Sequence, residues 1–256
     1  MKCFKYLLFL VFSLLIMQAQ ADNSGVQTLP NKTVKLTSLE WPPYTGTALT
    51  EKGATVAVAK AAFAAEGYEL IVEFFPWKRT VHLAKNSPDY DGYFPEYYAK
   101  ELEDEFILSD AMGSGPLGFA ERKADPVTWD NLNDLKNYKF GVVNGYVNTE
   151  EFDSMVASGE LKADGANDDE RNLLKLASGR IDLVLIDKNV MDFLLSTEPK
   201  LEPIASKIQF NQRILEDKKL FICFKKSERG KQLAEIFNAG LKKVDVNAIM
   251  QRLLNN

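Results

Sequence analysis

The sequence predicts an α/β protein made of two similar units. Strand-like and helix-like segments alternate along most of the chain, and some strands, such as residues 183–186, are continuous apolar runs. Such strands are typical of parallel sheets that helices cover on both faces. The chain has 256 residues, which exceeds a typical single domain of roughly 100–150 residues.

In the first half of the sequence, we expect strands where apolar and polar residues alternate, and helices where apolar residues recur every three or four positions. Gly67 ends the first helix and Pro76 opens the second, because glycine is favoured after a helix and proline in its first turn. The expected order is a strand at 33–39, a Pro-Pro turn, a helix at 53–66, a strand at 69–75, a helix at 76–85, a strand at 90–94, a helix at 96–104, an extended segment at 106–108 and a strand at 116–122.

The second half repeats this alternation. Its expected elements are a short helix at 131–136, a strand at 139–143, a glycine turn, a helix from about 148, a helix at 168–178, a strand at 181–186, a helix at 187–195, a strand at 219–224 and two helices from 228 to the C-terminus.

Residues 1–21 predict a cleaved export signal. Two lysines precede an apolar run at 6–17, and Ala-Gln-Ala at 19–21 supplies the small-x-small pattern that signal peptidase needs. The run is shorter than the roughly 20 residues of a membrane-spanning helix, so a permanent anchor is the weaker alternative. We expect cleavage near Ala21-Asp22 and a soluble protein in the periplasm.

Composition argues against several classes of partner and cofactor. Residues 22–256 carry 29 basic and 36 acidic side chains, a net charge of −7, which disfavours nucleic acid. This part has one cysteine, Cys223, and one histidine, His82, so neither a disulfide nor a zinc site of soft ligands is expected. We expect a monomer without cofactor or metal.

Several short motifs occur in a characteristic order. They are Glu40-Trp-Pro-Pro-Tyr44, Glu66-Gly-Tyr68, Pro76-Trp-Lys-Arg79, Tyr90-Asp-Gly92, Gly141-Val-Val-Asn-Gly145, and Gly179-Arg-Ile-Asp182 followed by Asp187. Each motif is weak alone, but their order and spacing over the exported chain resemble bacterial extracellular solute-binding proteins of family 3, the polar amino-acid-binding branch of ABC transport.

The resemblance implies a periplasmic-binding-protein fold of type II. Two α/β lobes would be joined by two hinge strands, at 116–122 and 219–224, and would close on a ligand. Lobe 1 would comprise 22–122 plus 215–256, and lobe 2 would comprise 123–214. The implied function is capture of a small polar or zwitterionic ligand, with an inner-membrane ABC permease or a sensor as partner and no catalysis.

Trp41, Tyr44 and Asp187 are the leading candidates for ligand contact. The two aromatics flank a rigid turn at the carboxyl end of the first strand, where open α/β sheets bind ligands. Their alternative role is packing within the turn. Asp187 matches the family carboxylate that pairs with a ligand ammonium, and its alternative role is to cap the helix that follows.

Further contacts are implied by position. Trp77 can face the ligand or anchor the core, and Arg79 can bind an anion or remain solvated. The turn after residue 143 leads into a helix start that can attract a carboxylate, although Asn148 or Thr149 can also be a plain N-cap. The full expected set of ligand contacts is Trp41, Tyr44, Trp77, Arg79, Tyr93, Asn144, Tyr146, Asn148, Thr149 and Asp187.

One departure from the family pattern concerns the ligand. The amino-acid binders carry an arginine that clamps the α-carboxylate in a segment that corresponds to residues 97–103, and this segment contains no arginine. Either Lys100 or Arg79 replaces it, or the ligand lacks an α-carboxylate. Two alternatives remain open: a dehydratase-like enzyme with paired carboxylates such as Asp91 and Asp187, and a ligand-sensing or scaffold protein without transport.

Overall fold

The computed structural model describes residues 31–254, so the export signal predicted at 1–21 lies outside the described residues. The strands are β1 Thr33–Ser38, β2 Glu69–Phe74, β3 Gly92–Tyr97, β4 Phe106–Leu108, β5 Ser114–Arg122, β6 Lys139–Val143, β7 Lys162–Ala166, β8 Leu183–Asp187 and β9 Ile208–Lys225. The helices are α1 Ala54–Ala65, α2 Trp77–Asn86, α3 Leu102–Glu105, α4 Glu150–Ala157, α5 Asp169–Ala177, α6 Lys188–Thr197, α7 Glu202–Ala205, α8 Glu228–Leu241 and α9 Val246–Leu254.

The strands form two sheets with the same strand arrangement. In the first sheet the order is β2-β1-β3-β9-β4, and in the second it is β7-β6-β8-β5-β9. In the first sheet β1, β2 and β3 are parallel, β9 runs antiparallel to them, and β4 pairs antiparallel with β9. In the second sheet β6, β7 and β8 are parallel, β5 runs antiparallel to them, and β9 pairs antiparallel with β5. Two lobes of one topology follow, which confirms the predicted two-unit α/β class.

Strand β9 belongs to both sheets. Its first part pairs with β5 over residues 208–219, and its last part pairs with β3 and β4 over residues 220–225. Strand β5 also pairs with β8, so it is an inner strand of the second sheet. The lobe boundaries at 122 and 214 remain a prediction.

Each lobe has its own aromatic core. In the first, Phe63 of α1 packs against Phe237 of α8 at 5.2 Å and against Phe224 at 6.3 Å between ring centroids. In the second, Phe119 and Phe140 pack at 5.3 Å. Helices and strands present their apolar faces to these clusters, and burial of that surface is the main stabilising contribution.

The prediction was wrong at a few elements. The helix expected at 96–104 is a continuation of β3 to Tyr97, followed by α3 of only four residues. Backbone pairing with β9 at Glu96 and Tyr97 decides this, and both side chains are buried. Strand β9 begins at Ile208 rather than 219, and β7 and α7 were not predicted. The first part of β9 and all of β7 lie at sheet edges, where polar residues hide the apolar alternation.

Candidate functional site

The lobes meet at a hydrogen bond between Tyr44 and Asp187. Tyr44 lies in the turn after β1, where Trp41 and Thr45 form a short antiparallel bridge, and Asp187 is the last residue of β8. The Tyr44 hydroxyl is 3.1 Å from each carboxylate oxygen of Asp187. The turn after β1 and the end of β8 are both at carboxyl ends of parallel strands, which explains why their side chains converge.

Asp187 also caps α6, as the alternative interpretation predicted. Its Oδ1 accepts from the backbone amides of Asn189 at 2.8 Å and Val190 at 3.2 Å, and the Tyr97 hydroxyl lies 3.4 Å from Oδ2. Asp187 is 2% exposed. Burial raises its pKa to about 7, although these hydrogen bonds act in the opposite direction. Capping of α6 and a contact with the first lobe coexist in this one carboxylate.

The contact leaves no space for a side chain at Gly115 of β5. A Cβ atom there would lie 2.0 Å from Oδ2 of Asp187 and 2.1 Å from the Tyr44 hydroxyl oxygen. The Asn189 side-chain amide donates to the same hydroxyl at 2.7 Å. Burial raises the pKa of Tyr44 far above its usual range, so the phenol stays protonated and donates to the carboxylate.

Trp41 stacks on Tyr44 with ring centroids 4.6 Å apart, and it meets the edge of Tyr97 at 5.9 Å. Its indole is also placed to donate to the side chain of Asp169, the first residue of α5 in the second lobe. Asp169 is 6% exposed, and burial raises its pKa to about 7, with further contributions from the charges of Asp168 and Asp187. A second carboxylate therefore faces the first-lobe aromatics.

Trp77, at the start of α2, joins the lobes at another point. Its indole nitrogen donates to the backbone oxygen of Gly145 at 2.8 Å, and its ring lies edge-on to Tyr146 at 5.5 Å. Gly145 has a φ of 85°, a conformation that glycine adopts without strain. Trp77 thus contacts the glycine turn after β6, rather than acting only as an anchor of the first-lobe core.

Two of the expected contacts lie elsewhere. Tyr93 is fully buried inside the first lobe, where its hydroxyl donates to Glu96 at 3.0 Å, and burial raises the pKa of Glu96 to about 8. Arg79 is exposed, and its guanidinium lies over the ring of Phe75 at 4.9 Å. Neither side chain lines the space between the lobes.

The glycine turn positions three further candidates. Thr149 is the N-cap of α4, and its hydroxyl accepts from the amide of Phe152 at 3.3 Å. The Asn148 side chain donates to Asp153 at 2.7 Å, so both residues have a local structural role. Asn144 lies beside Gly165 of β7, in contact with the second sheet.

Two spaces separate the lobes. An inner cavity of about 20 Å³, room for roughly one water molecule, lies between Trp41, Trp77, Tyr97 and Tyr146. An outer cleft of about 680 Å³ opens to solvent. It is lined by five aromatic side chains, Trp41, Phe74, Phe75, Trp77 and Tyr146, and by five carboxylates, Glu40, Asp168, Asp169, Glu170 and Glu198.

The sequence interpretation missed Tyr97, Gly115 and Asp169. Tyr97 was assigned to a helix, and nothing in the local sequence at Gly115 shows that it contacts another lobe. Asp169 follows Asp168, which caps α5 by accepting from Arg171 at 2.8 Å. One carboxylate is enough to cap a helix, so a second acidic residue at the start of the same helix indicates that the second carboxylate has another contact.

Within residues 31–254 no cluster of three or more His, Cys, Asp or Glu is arranged to hold a metal ion. None of the helices in that range is long and apolar enough to cross a membrane.

Comparison with known proteins finds no matching family model and no matching curated protein. Solved structures do match. A histidine kinase sensor domain with similarity to periplasmic binding proteins is 15% identical, with a TM-score of 0.73 over 87% of this chain and 96% of that one. The protein has the periplasmic-binding-protein fold. This two-lobed architecture was predicted from the sequence, and the structure confirms it.

Two ligand-bound structures share the fold. An ancestral arginine-binding protein bound to arginine is 17% identical, with a TM-score of 0.69 over 88% of this chain and 97% of that one. The GluR0 ligand-binding core from Nostoc punctiforme, in complex with L-glutamate, is 15% identical, with a TM-score of 0.67 over 86% and 96% of the two chains.

Proposed function

We propose that this protein is a periplasmic solute-binding protein that captures a small polar molecule between its lobes. The observation that carries the proposal is the convergence of Trp41 and Tyr44 of the first lobe with Asp187 of the second. Aromatic faces and a buried carboxylate at the carboxyl ends of strands form a site of the kind that small ligands occupy. The neighbours bound to arginine and glutamate support the proposal.

The cellular setting belongs to the same proposal. The export signal at 1–21 delivers the chain to the periplasm, where it acts as a monomer and hands its ligand to an inner-membrane ABC permease. The chain passes from one lobe to the other near residues 109–114 and 217–220, where the strand pairing changes from one sheet to the other. Closure about these crossings brings Tyr44 to Asp187.

The test is a ligand screen on residues 22–256. Thermal unfolding is followed with amino acids, amines, organic acids and small peptides, and hits are titrated by calorimetry. A ligand that binds only the folded state raises the midpoint as its concentration grows, with about 2.7 kcal/mol of stabilisation at 100 times Kd. A screen without any stabilising compound contradicts the proposal.

Sensing is the second candidate, because one neighbour is a histidine kinase sensor domain. Deletion of the gene distinguishes the two roles: loss of uptake of the ligand indicates transport, and loss of a transcriptional response with normal uptake indicates sensing.

An enzymatic role has less support. Asp91, considered as a catalytic partner for Asp187, instead accepts from Arg229 at 2.7 Å and from the Lys35 amide at 3.0 Å.

A further inference from the structure

The charge of the outer cleft indicates which class of ligand it accepts. Of its lining residues within the described chain, five are carboxylates and none is lysine or arginine. Glu170 is paired with Lys200 at 2.9 Å, and Asp168 lies 3.6 Å from Arg171. These two are partly neutralised from outside the cleft, which leaves Glu40, Asp169 and Glu198 to set its charge.

Asp169 is the deepest of the three. It is 94% buried in the floor of the cleft, and its described partner is the neutral indole of Trp41. A neutral donor does not compensate a buried negative charge, and a buried carboxylate without a cation is costly. The half-buried Glu198, at the end of α6, lies on the same wall.

Aromatic side chains from both lobes also line the cleft. Trp41, Trp77 and Tyr146 present rings to the cleft, beside Phe75 at its rim. Indole and phenol faces attract cations through the ring quadrupole and cover apolar carbon chains. A cation beside Asp169 and these rings therefore gains from the carboxylate and from the aromatic faces.

Among the described residues, no lysine or arginine lines the cleft to pair with a ligand carboxylate. Arg79 lies over the ring of Phe75 and Lys52 over that of Phe74, but neither cation is itself a lining residue of the cleft. Lys100 is exposed. Lys218 is buried, but its Nζ lies 5.5 Å from the centroid of the Tyr97 ring and 3.4 Å from Glu216, which neutralises it. A carboxylate in the cleft would lie among like charges in a partly desolvated space.

We propose that the cleft binds an organic cation without a carboxylate, namely a primary amine, diamine or guanidine whose carbon chain lies along Trp41 and Trp77. This inference rests on the proposed function and specifies its ligand class. The cationic end contacts Asp169, and a second cationic group, where present, lies near Glu198 or Glu40.

The test uses pairs of compounds that differ only in the carboxylate. Agmatine is compared with arginine, and putrescine with ornithine, by calorimetry on residues 22–256 at pH 8. Each amine is expected to bind at least tenfold more tightly than its amino acid. Equal or tighter binding of either amino acid overturns the inference while leaving the solute-binding function intact. Absence of binding by any compound of the wider screen overturns both.

Variants identify the site. Asp169→Asn is expected to weaken agmatine at least tenfold. Glu235→Gln removes the same charge from the exposed face of α8 and is expected to leave the affinity unchanged. Where Asp169→Asn does not fold, the half-buried Glu198→Gln serves, with an expected loss of about threefold. An unchanged affinity in the folded cleft variant overturns the inference.

Discussion

The Tyr44 hydroxyl and the Asp187 carboxylate lie 3.1 Å apart although the residues are 143 positions apart in the chain. One is contributed by the first lobe and the other by the second. A hydrogen bond to a charged group contributes more to the stability of the folded protein than a bond between neutral groups. Loss of the donor to a buried acceptor destabilises the folded state. This contact therefore couples the stability of the protein to the closure of its cleft.

Removal of the Tyr44 hydroxyl is expected to destabilise the protein. Tyr44→Phe keeps the ring stacked on Trp41 but deprives Asp187 of a donor and Asn189 of an acceptor. We expect the free energy of unfolding in urea to fall by about 1–3 kcal/mol. The control is Tyr98→Phe, which removes an exposed hydroxyl bonded to Glu103 and is expected to change the value by less than about 0.5 kcal/mol. Equal effects of the two variants contradict the assigned contact.

A side chain at Gly115 is expected to break the same contact. Gly115→Ala places its methyl group against both the Tyr44 hydroxyl and Asp187, and overpacking of this kind costs about 1–3 kcal/mol. In a Tyr44→Phe background the cost is expected to be smaller, because one of the clashing oxygens is gone. The free energies of unfolding are measured by urea denaturation. If the changes caused by the two substitutions simply add in the double variant, Gly115 does not act through its contact with Tyr44.

Asp187→Asn is expected to weaken the binding of an ammonium ligand while preserving the fold, because the charge of Asp187 acts together with that of Asp169. The amide oxygen can still cap α6, so helix stability is retained and only the charge is lost. We expect affinity, measured by calorimetry, to fall at least tenfold. Asp245→Asn is a matched control, since Asp245 caps α9 by accepting from Ala248 at 2.9 Å, away from the cleft. Unchanged affinity in folded Asp187→Asn would refute the cleft assignment.

Loss of the Trp77 indole nitrogen is expected to open the lobes. Trp77→Phe retains an aromatic ring but removes the donor to Gly145. We expect a larger radius of gyration in solution X-ray scattering, with lower affinity for the ligand. Trp129→Phe is the control, because its indole donates to Asn211 at 3.1 Å within the second lobe. An increase in radius for the control but not for Trp77→Phe contradicts the assigned role.

The free energy of unfolding is expected to fall as the pH rises from about 4 to about 8. Burial raises the pKa of Asp187 and Asp169 to about 7 and that of Glu96 to about 8, from usual values of 3.8 and 4.5. In this window the folded state holds protons that the unfolded state has released. Stability is therefore complete below the unfolded pKa values and is lost as the pH rises through the folded ones.

The groups that face these carboxyls do not reverse this sign. They are the hydroxyls of Tyr44 and Tyr97 at Asp187, the indole of Trp41 and the charge of Asp168 at Asp169, and the Tyr93 hydroxyl, the Tyr97 amide and Lys218 at Glu96. Urea denaturation at pH 4.5 and pH 8 measures the slope. Asp187→Asn is expected to flatten it, whereas the exposed Asp104→Asn is not. Stability that rises across the window refutes the assignment.

The elements that were predicted well from the sequence are those in which apolar residues follow the strand or helix pattern along the whole element. The buried strand at 183–187 and the alanine-rich α1 were located closely, and so was the turn that holds Trp41 and Tyr44. Because the positions of these residues at strand ends follow from topology, their convergence with Asp187 was predictable. The ligand-binding role of all ten candidates stays a prediction.

Other features depend on packing that local patterns do not record. Tyr97 lies in a strand because β9 pairs with it, although its own neighbours favour a helix. Asp168 caps α5, so the cap does not require Asp169, and the carboxylate of Asp169 lines the cleft. The tertiary packing around α5, rather than the local sequence, determines this position. The polar first part of β9 pairs only with β5, so no alternation marks it.

Strand β9 has a mechanical consequence. Its 18 residues run without interruption through both sheets, hydrogen-bonded to β5 along one part and to β3 and β4 along the other. The two sheets are thus connected by a hydrogen-bonded strand and not by a flexible linker. Separation of the lobes therefore requires this strand to twist. The amplitude of opening is limited by how far these paired strands can twist before their hydrogen bonds break.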